Sequence, residues 1–372
     1  MLVLTGRRGN DDDDGMGQPP PGQASAPPER GPGRRRRGAT PSIRDVAAAA
    51  GVSYQTVSRV LNHSPSVRAA TRLQVMAAID RLGYRPNRAA RALGLGRARS
   101  VTVLTSNTVL YGYAAMLQGV EEAAREEGLA VGVQVIESAA AADIRQAVDH
   151  VSDPSAGGVV VIAFDVEGTE VLRRLPRALP AVAAIEPGIL VQDGPPTICL
   201  DEQQAAAEAT RHLLSLGHRT VHHVAIPSEA GTHGREAGWR RALTEARAQV
   251  PDVVVAGWDA PSAYAAGRSL AGDSTVTAIL CGNDDTAMAV RRALYDAGRA
   301  VPGDVSLVGI DDVPGSAYWT PALTTIRMDF AGLGRACVAA VAAELDGRPH
   351  PEVSLTAPSL VIRESTAPPP AG

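Results

Sequence analysis

Gly51-Val52-Ser53-Tyr54-Gln55-Thr56-Val57-Ser58-Arg59-Val60-Leu61-Asn62 reads as a tight turn leading into a short helix. Gly51 supplies the backbone freedom that a turn with positive φ requires. Ser53 is a good N-cap, and Val57 and Val60 form an apolar stripe on a helix expected from Tyr54 to about Asn62. The outer face of that helix then carries Tyr54, Gln55, Ser58 and Arg59. Upstream, Ser42 caps an Ala-rich helix from Ile43 to Ala50, with Asp45 in the first turn, where a carboxylate suits the helix dipole. Downstream, a third helix is expected from about Ala69 to Leu82, with Leu73, Met76, Ile79 and Leu82 facing inward. Ala47 is small where helices must approach. Two helices joined at a glycine and braced by a third make a helix-turn-helix unit.

Charge is concentrated around this unit. The 372-residue chain has a net charge of −4, and all 36 of its basic residues are arginine. Residues 39–100 hold 10 arginines against 2 acids, giving +8, while residues 101–372 hold 19 against 33, giving −14. A basic head on an acidic body fits a polyanion ligand for the head. Gln55 has the geometry to pair with adenine in a major groove, and Arg59 to pair with guanine. Ser42, Ser53, Thr56, Ser58 and Asn62 are of the type that holds phosphates and sets register.

Other features narrow the class. Residues 1–38 combine Asp11 to Asp14, a Pro- and Gly-rich stretch and Arg34 to Arg37; without apolar periodicity they are expected to be a disordered tail. No secretion signal is legible there, and no apolar run reaches the roughly 18 residues that span a bilayer. A cytoplasmic protein without membrane contact is therefore expected. Cys199, Cys281 and Cys337 lie too far apart for a disulfide framework. His222 and His223 are adjacent in an expected strand and point to opposite faces, which disfavours shared metal ligation. Neither a cofactor nor a catalytic residue is expected.

Beyond Ser100, strand-like and helix-like blocks alternate. Strands are expected at Val101 to Leu104, Val131 to Ile136, Val159 to Ile162, Ala181 to Ile185, Val221 to Ile226, Val253 to Val255, Ala278 to Cys281 and Ser306 to Ile310. Helices fall between them, among them Ala114 to Glu127 and Ala141 to Val151. This alternation implies parallel sheets covered by helices. The stretch is generous for one sheet, so two α/β lobes are expected.

With Ile43-Arg44-Asp45-Val46-Ala47 before the opening run and Gly83-Tyr84-Arg85-Pro86-Asn87 after it, the chain resembles the lactose-repressor (LacI/GalR) family over about residues 41–366. The resemblance implies an α/β protein with a three-helix helix-turn-helix head (39–86), a hinge helix and linker (87–100), and a two-lobed periplasmic-binding-protein-like core of parallel sheets (101–366). Lobe 1 then takes about 101–199 and 328–357, and lobe 2 about 200–327 and 358–366, with 367–372 left as a disordered tail. Base reading is implied for Tyr54, Gln55 and Arg59. A minor-groove hinge is implied for Asn87, Arg88, Arg91 and Leu93, with Leu93 wedged between base steps so that the duplex kinks.

In open α/β sheets, ligands lie beyond the carboxyl ends of strands. Asn283 and Asp284 follow one such strand and Asp311 follows another. The resemblance adds Arg235, four residues before Trp239, as a residue that grips ligand oxygens, and Trp258, six before Tyr264, as a stacking aromatic. Tyr111 and Glu186 are candidates from the other lobe, and Asp312 is expected to serve only a turn.

The function expected is a sequence-specific DNA-binding transcriptional regulator, a repressor, whose affinity for a palindromic double-stranded operator is controlled by a carbohydrate-like effector. Its rival is a sugar-binding or sugar-processing α/β protein whose basic head has another use. A homodimer is expected, because a palindrome takes two heads. Pro368-Pro369-Pro370 oppose the C-terminal heptad helix that joins dimers in some members of the family.

Overall fold

The computed structural model describes residues 41–61, 66–84, 100–152, 157–189, 192, 194–229 and 233–371. They fall in two compact units, divided between Pro86 and Asn87. The first unit holds α1 (Ile43–Ala50), α2 (Tyr54–Leu61) and α3 (Ala69–Leu82). Ser42 and Asp45 close a reciprocal capping box on α1, and Gly51, at φ 63°, ends it in the left-handed region that glycine favours. Val46, Ala47, Val57, Val60, Val75 and Ala78 form the core of this head.

The inner face of α3 differs from expectation. Leu73 is 72% exposed and Met76 is 45% exposed, whereas Val75 and Ala78 are buried, with Ile79 and Leu82 packed against them. The reason is geometric. Steps of three residues turn the helix by about 300°, so a row at i, i+3, i+6 drifts around the cylinder. Val75, Ala78, Ile79 and Leu82 follow the i, i+3, i+4, i+7 pattern that keeps one face.

The second unit contains two sheets. One is built from β1 (Ser100–Thr105), β2 (Ala130–Val135), β3 (Gly158–Ala163), β4 (Ala181–Ile185) and β5 (Thr197–Ile198), in the order β2-β1-β3-β4-β5. The other is built from β6 (His222–Ala225), β7 (Val254–Val255), β8 (Ala278–Cys281), β9 (Ser306–Asp311), β10 (Thr324–Arg327) and β11 (Ser359–Val361), in the order β11-β10-β9-β8-β6-β7. All pairings are parallel except β10 with β11 at the edge, which is antiparallel. Every residue of β3, β4, β8 and β9 is buried, as expected of central strands covered on both faces.

Helices α4 (Tyr111–Glu126), α5 (Ala141–Val151) and α6 (Val166–Leu172) belong to the first sheet, and α7 (Glu202–Ser215), α8 (Arg235–Glu245), α9 (Ala260–Ala271) and α10 (Asp284–Asp296) to the second. The late helix α11 (Phe330–Leu345) returns to the first sheet, where the Glu344 carboxylate accepts from the Ala181 N–H at 3.0 Å. It packs backbone to backbone on α4. A Cβ on Gly119 would collide with the Ala331 carbonyl, and one on Gly334 with the Met116 carbonyl.

Ala367, the first residue of the tail expected to be disordered, is hydrogen-bonded to the second sheet's surroundings. The Ala367 N–H donates to Ser306 Oγ at 3.0 Å, and its carbonyl takes bonds from Ser306 and His218. The Pro-rich segment lacks helix-forming donors, but a backbone next to a buried serine and histidine finds partners without forming a helix.

Candidate DNA-reading face and effector cleft

On the head, the turn before α2 is fixed by side chains. Ser53 Oγ accepts from the Thr56 N–H at 3.2 Å, and the two hydroxyls lie 2.9 Å apart. With Val57 and Val60 buried, α2 turns Tyr54 (53% exposed), Gln55 and Arg59 to solvent, and leaves Ser58 half-buried. Ser42 serves the cap of α1. Its hydroxyl donates to Asp45 Oδ2 at 3.0 Å. Asn62, Asn87, Arg88, Arg91 and Leu93 lie outside the described residues.

In the second unit, residues beyond the carboxyl ends of the strands converge on one cleft. Phe164 follows β3, Glu186 follows β4, Ile226 follows β6 and Asn283 follows β8, while Asp311 ends β9. Six of the seven expected effector residues line it: Tyr111, Glu186, Arg235, Trp258, Asn283 and Asp311. The space between them is small, about 30 Å³. A cavity of about 330 Å³ adjoins it and shares Glu186, Glu202, Ile226 and Arg235.

Arg235, the first residue of α8, is central to this arrangement. Its guanidinium donates to Glu202 Oε1 at 3.0 Å and to the Gly282 carbonyl, and stands 4.0 Å from Asp311 Oδ1. Burial works against its charge, yet Glu202, Asp311 and Glu186 outweigh that and raise its pKa. Arg235 Nε and Asp311 Oδ1 are buried without a hydrogen-bond partner. Burial pushes the Asp311 carboxyl well above the usual carboxylate range, with Arg235 opposing. Asp311 also holds a φ of 118°, rare for a residue with a side chain.

Glu186 reaches from the first sheet to the second, where its Oε2 accepts from Ser228 Oγ at 3.0 Å and the Glu229 N–H at 2.8 Å. Burial, then the charge of Glu202, pushes its pKa up to about 7. Asn283, in the cleft lining, caps α10 by accepting from the Thr286 N–H at 2.8 Å through Oδ1, and its amide nitrogen remains a donor.

Asp284 is not part of this cleft. It is fully buried and accepts from the Val313 N–H at 2.9 Å, Ser316 Oγ at 2.6 Å and Thr325 Oγ1 at 2.5 Å. Those bonds fasten the loop after β9, so its carboxylate is committed to the fold. Asp312 also does more than turn the chain: it clamps Arg327 at 2.7 Å and Arg363 at 2.6 Å.

Sequence reasoning missed Leu110, Tyr113, Phe164, Glu202, Ile226 and Phe330 in the cleft lining. Ile226 ends one expected strand and Phe164 lies two residues past the end of another, so the strand-end rule contained them. Phe330 follows β10, a strand the sequence reading had not placed. Both phenylalanines of the chain lie here, edge to face with centroids 6.2 Å apart, and Phe164 meets Tyr113 at 5.4 Å.

Two family profiles match the chain: bacterial regulatory proteins of the lacI family over residues 42–87, and a periplasmic binding protein-like domain over residues 210–366. The lactose operon repressor of Escherichia coli (strain K12) is 31% identical over 334 residues, covering 88% of this chain and 91% of the relative. This chain belongs to the lacI family of bacterial regulatory proteins. Among solved structures, the lac repressor dimer bound to operator and the anti-inducer ONPF aligns with TM-score 0.76 and 29% identity, covering 88% of this chain and 100% of that one. A complex of the transcriptional regulator CelR with cellobiose aligns with TM-score 0.65 and 28% identity, covering 87% and 99%. As a lacI-family member, the chain is a DNA-binding transcriptional regulator with a periplasmic-binding-protein-like core.

Proposed function

We propose that this regulator is a cytoplasmic repressor that binds a palindromic operator as a dimer and responds to a polyhydroxylated small molecule. The effector half rests on the two unpartnered buried atoms, Arg235 Nε and Asp311 Oδ1, beside an aromatic wall. Buried polar groups without partners are costly, and a ligand that supplies an acceptor and a donor removes the cost. The cellobiose complex of a structural neighbour supports a carbohydrate as that ligand.

In the DNA half, Tyr54, Gln55 and Arg59 read bases, and Ser53, Thr56, Ser58 and Asn62 hold phosphates. Asn87, Arg88, Arg91 and Leu93 form the minor-groove hinge, with Leu93 as the wedge. Lobe 1, about 101–199 with 328–357, and lobe 2, about 200–327 with 358–366, both contribute to the cleft. A ligand pocket usually takes about 300 Å³ or more, so a sugar enters the cleft as the lobes part. That change in lobe angle alters the hinge helices which set the heads.

The test replaces Arg235 or Asp311 by Ala. Each variant should still shift operator DNA in a gel but lose the effector's influence on that binding, with calorimetry against a sugar panel identifying the effector. A variant that responds as the parent does removes that residue from the ligand site.

A further inference from the structure

We propose that the effector presents a protonated amine to this site, and that phosphorylated and carboxylated sugars are rejected. The proposal deepens the reading of the cleft as the effector site and rests on it. Charge is the first argument. The cleft and the adjoining cavity together carry the carboxyl groups of Glu186, Glu202, Glu229, Glu236 and Asp311 against one arginine, Arg235, and burial raises the pKa of Glu186 and Asp311, so these two lack the positive neighbour that would ionise them fully. Glu236 is answered by Arg240 at 2.7 Å. Arg235 is already engaged by Glu202 and the Gly282 carbonyl.

The other basic ring, His223, lies 3.0 Å through Nδ1 from the Leu280 carbonyl, and burial drives its pKa down to about 4, so it is neutral at pH 7. Among the described residues on these walls Arg235 is therefore the one cation, and it already faces Glu202 and Asp311. An anion entering would lose its water and find Arg235 already shared with Glu202 and Asp311, in a space of low dielectric lined with further carboxyl groups.

The second argument is the unsatisfied carboxylate. Asp311 is 6% exposed, its Oδ1 has no hydrogen-bond donor, and the nearest guanidinium nitrogen is 4.0 Å away. An ammonium supplies both the missing donor and the positive charge that draws the buried Asp311 carboxyl back to its ionised form, whereas a hydroxyl supplies only the donor.

The third argument is the aromatic part of the lining. Tyr111, Tyr113, Phe164, Trp258 and Phe330 line the cleft in a chain that is only 3% aromatic. Aromatic faces attract cations and also stack on the apolar face of a sugar ring, so an amino sugar uses both properties.

The full chain is titrated at pH 6.5 with three sets of probes, by thermal shift and then calorimetry: hexosamines and their disaccharides, the neutral counterparts, and the corresponding 6-phosphates and uronates. The amine form of a given sugar should bind on the order of tenfold tighter than its hydroxyl form, and the anionic forms should not bind. In Asp311→Asn the amine and hydroxyl forms should bind alike. Equal affinity of amine and hydroxyl forms for the parent protein, or tighter binding of a phosphate or uronate, overturns the proposal. Absence of binding by any sugar, whatever its charge, overturns the carbohydrate reading beneath it.

Discussion

Gln55 and Arg59 stand in solvent on a helix whose inner side is locked by Val57 and Val60, so their reach is set by a rigid element and not by a loop. Replacing either by Ala should cost about 1–3 kcal/mol on the specific operator and relax preference at one base pair, while binding to random DNA changes much less. Equal losses on both DNAs in a fluorescence-anisotropy titration would count against base reading. Glu186 makes a second residue-scale prediction. Its folded pKa of about 7 exceeds the ordinary glutamate value of 4.5, so the folded state holds more protons between those values. Its stabilising contribution is therefore complete below about pH 4.5 and is lost as pH rises through 7. Urea midpoints of the parent should fall relative to Glu186→Gln as pH rises from 5 to 8; a constant difference refutes the linkage. At this scale the sequence was a partial guide. Strand ends located Asn283 and Asp311, but Asp284, next to one of them, turns into the lobe instead, because adjacency in the chain does not reveal which way a side chain points at a helix start.

Among elements, those with a strong internal pattern were legible. The helix at Ala141–Val151 and the strands at Ala181–Ile185 and Ala278–Cys281 match the expected bounds, since each is a compact run between clear breakers. Thr197–Ile198, Thr324–Arg327 and Ser359–Val361 were not found: they are two to four residues long, polar in part, and gain their character from neighbours in the sheet. The crossing of α4 and α11 was also invisible, because it joins segments about two hundred residues apart through glycines that look unremarkable in sequence. Gly119→Ala tests that crossing. Its new methyl would meet the Ala331 backbone, which cannot rotate away, so the cost should be about 3 kcal/mol, the upper end of ordinary overpacking. Chemical denaturation that finds an unchanged midpoint would mean the two helices separate at little cost.

For the whole molecule, two observations bear on assembly. The edge strand β2 exposes Val131, Val133 and Val135 along one side, and elsewhere on the same unit Tyr318 is 87% and Met288 43% exposed. Apolar side chains on an edge strand invite association, and a two-fold partner covers the same patch on both copies. The head, meanwhile, is small, and one half-site offers it few phosphate contacts. Two heads tethered through paired cores bind a palindrome with an effective concentration that a free monomer lacks. Light scattering at micromolar concentration should therefore give a mass near twice 38.5 kDa. Val133→Glu should shift that mass toward the monomer and weaken binding to a full palindrome far more than to an isolated half-site, since it removes the tether and leaves the recognition helix intact. A parent protein that runs as a monomer contradicts two-fold pairing, and a stable four-chain species contradicts a dimer as the final assembly. A dimeric Val133→Glu protein would move the interface away from β2.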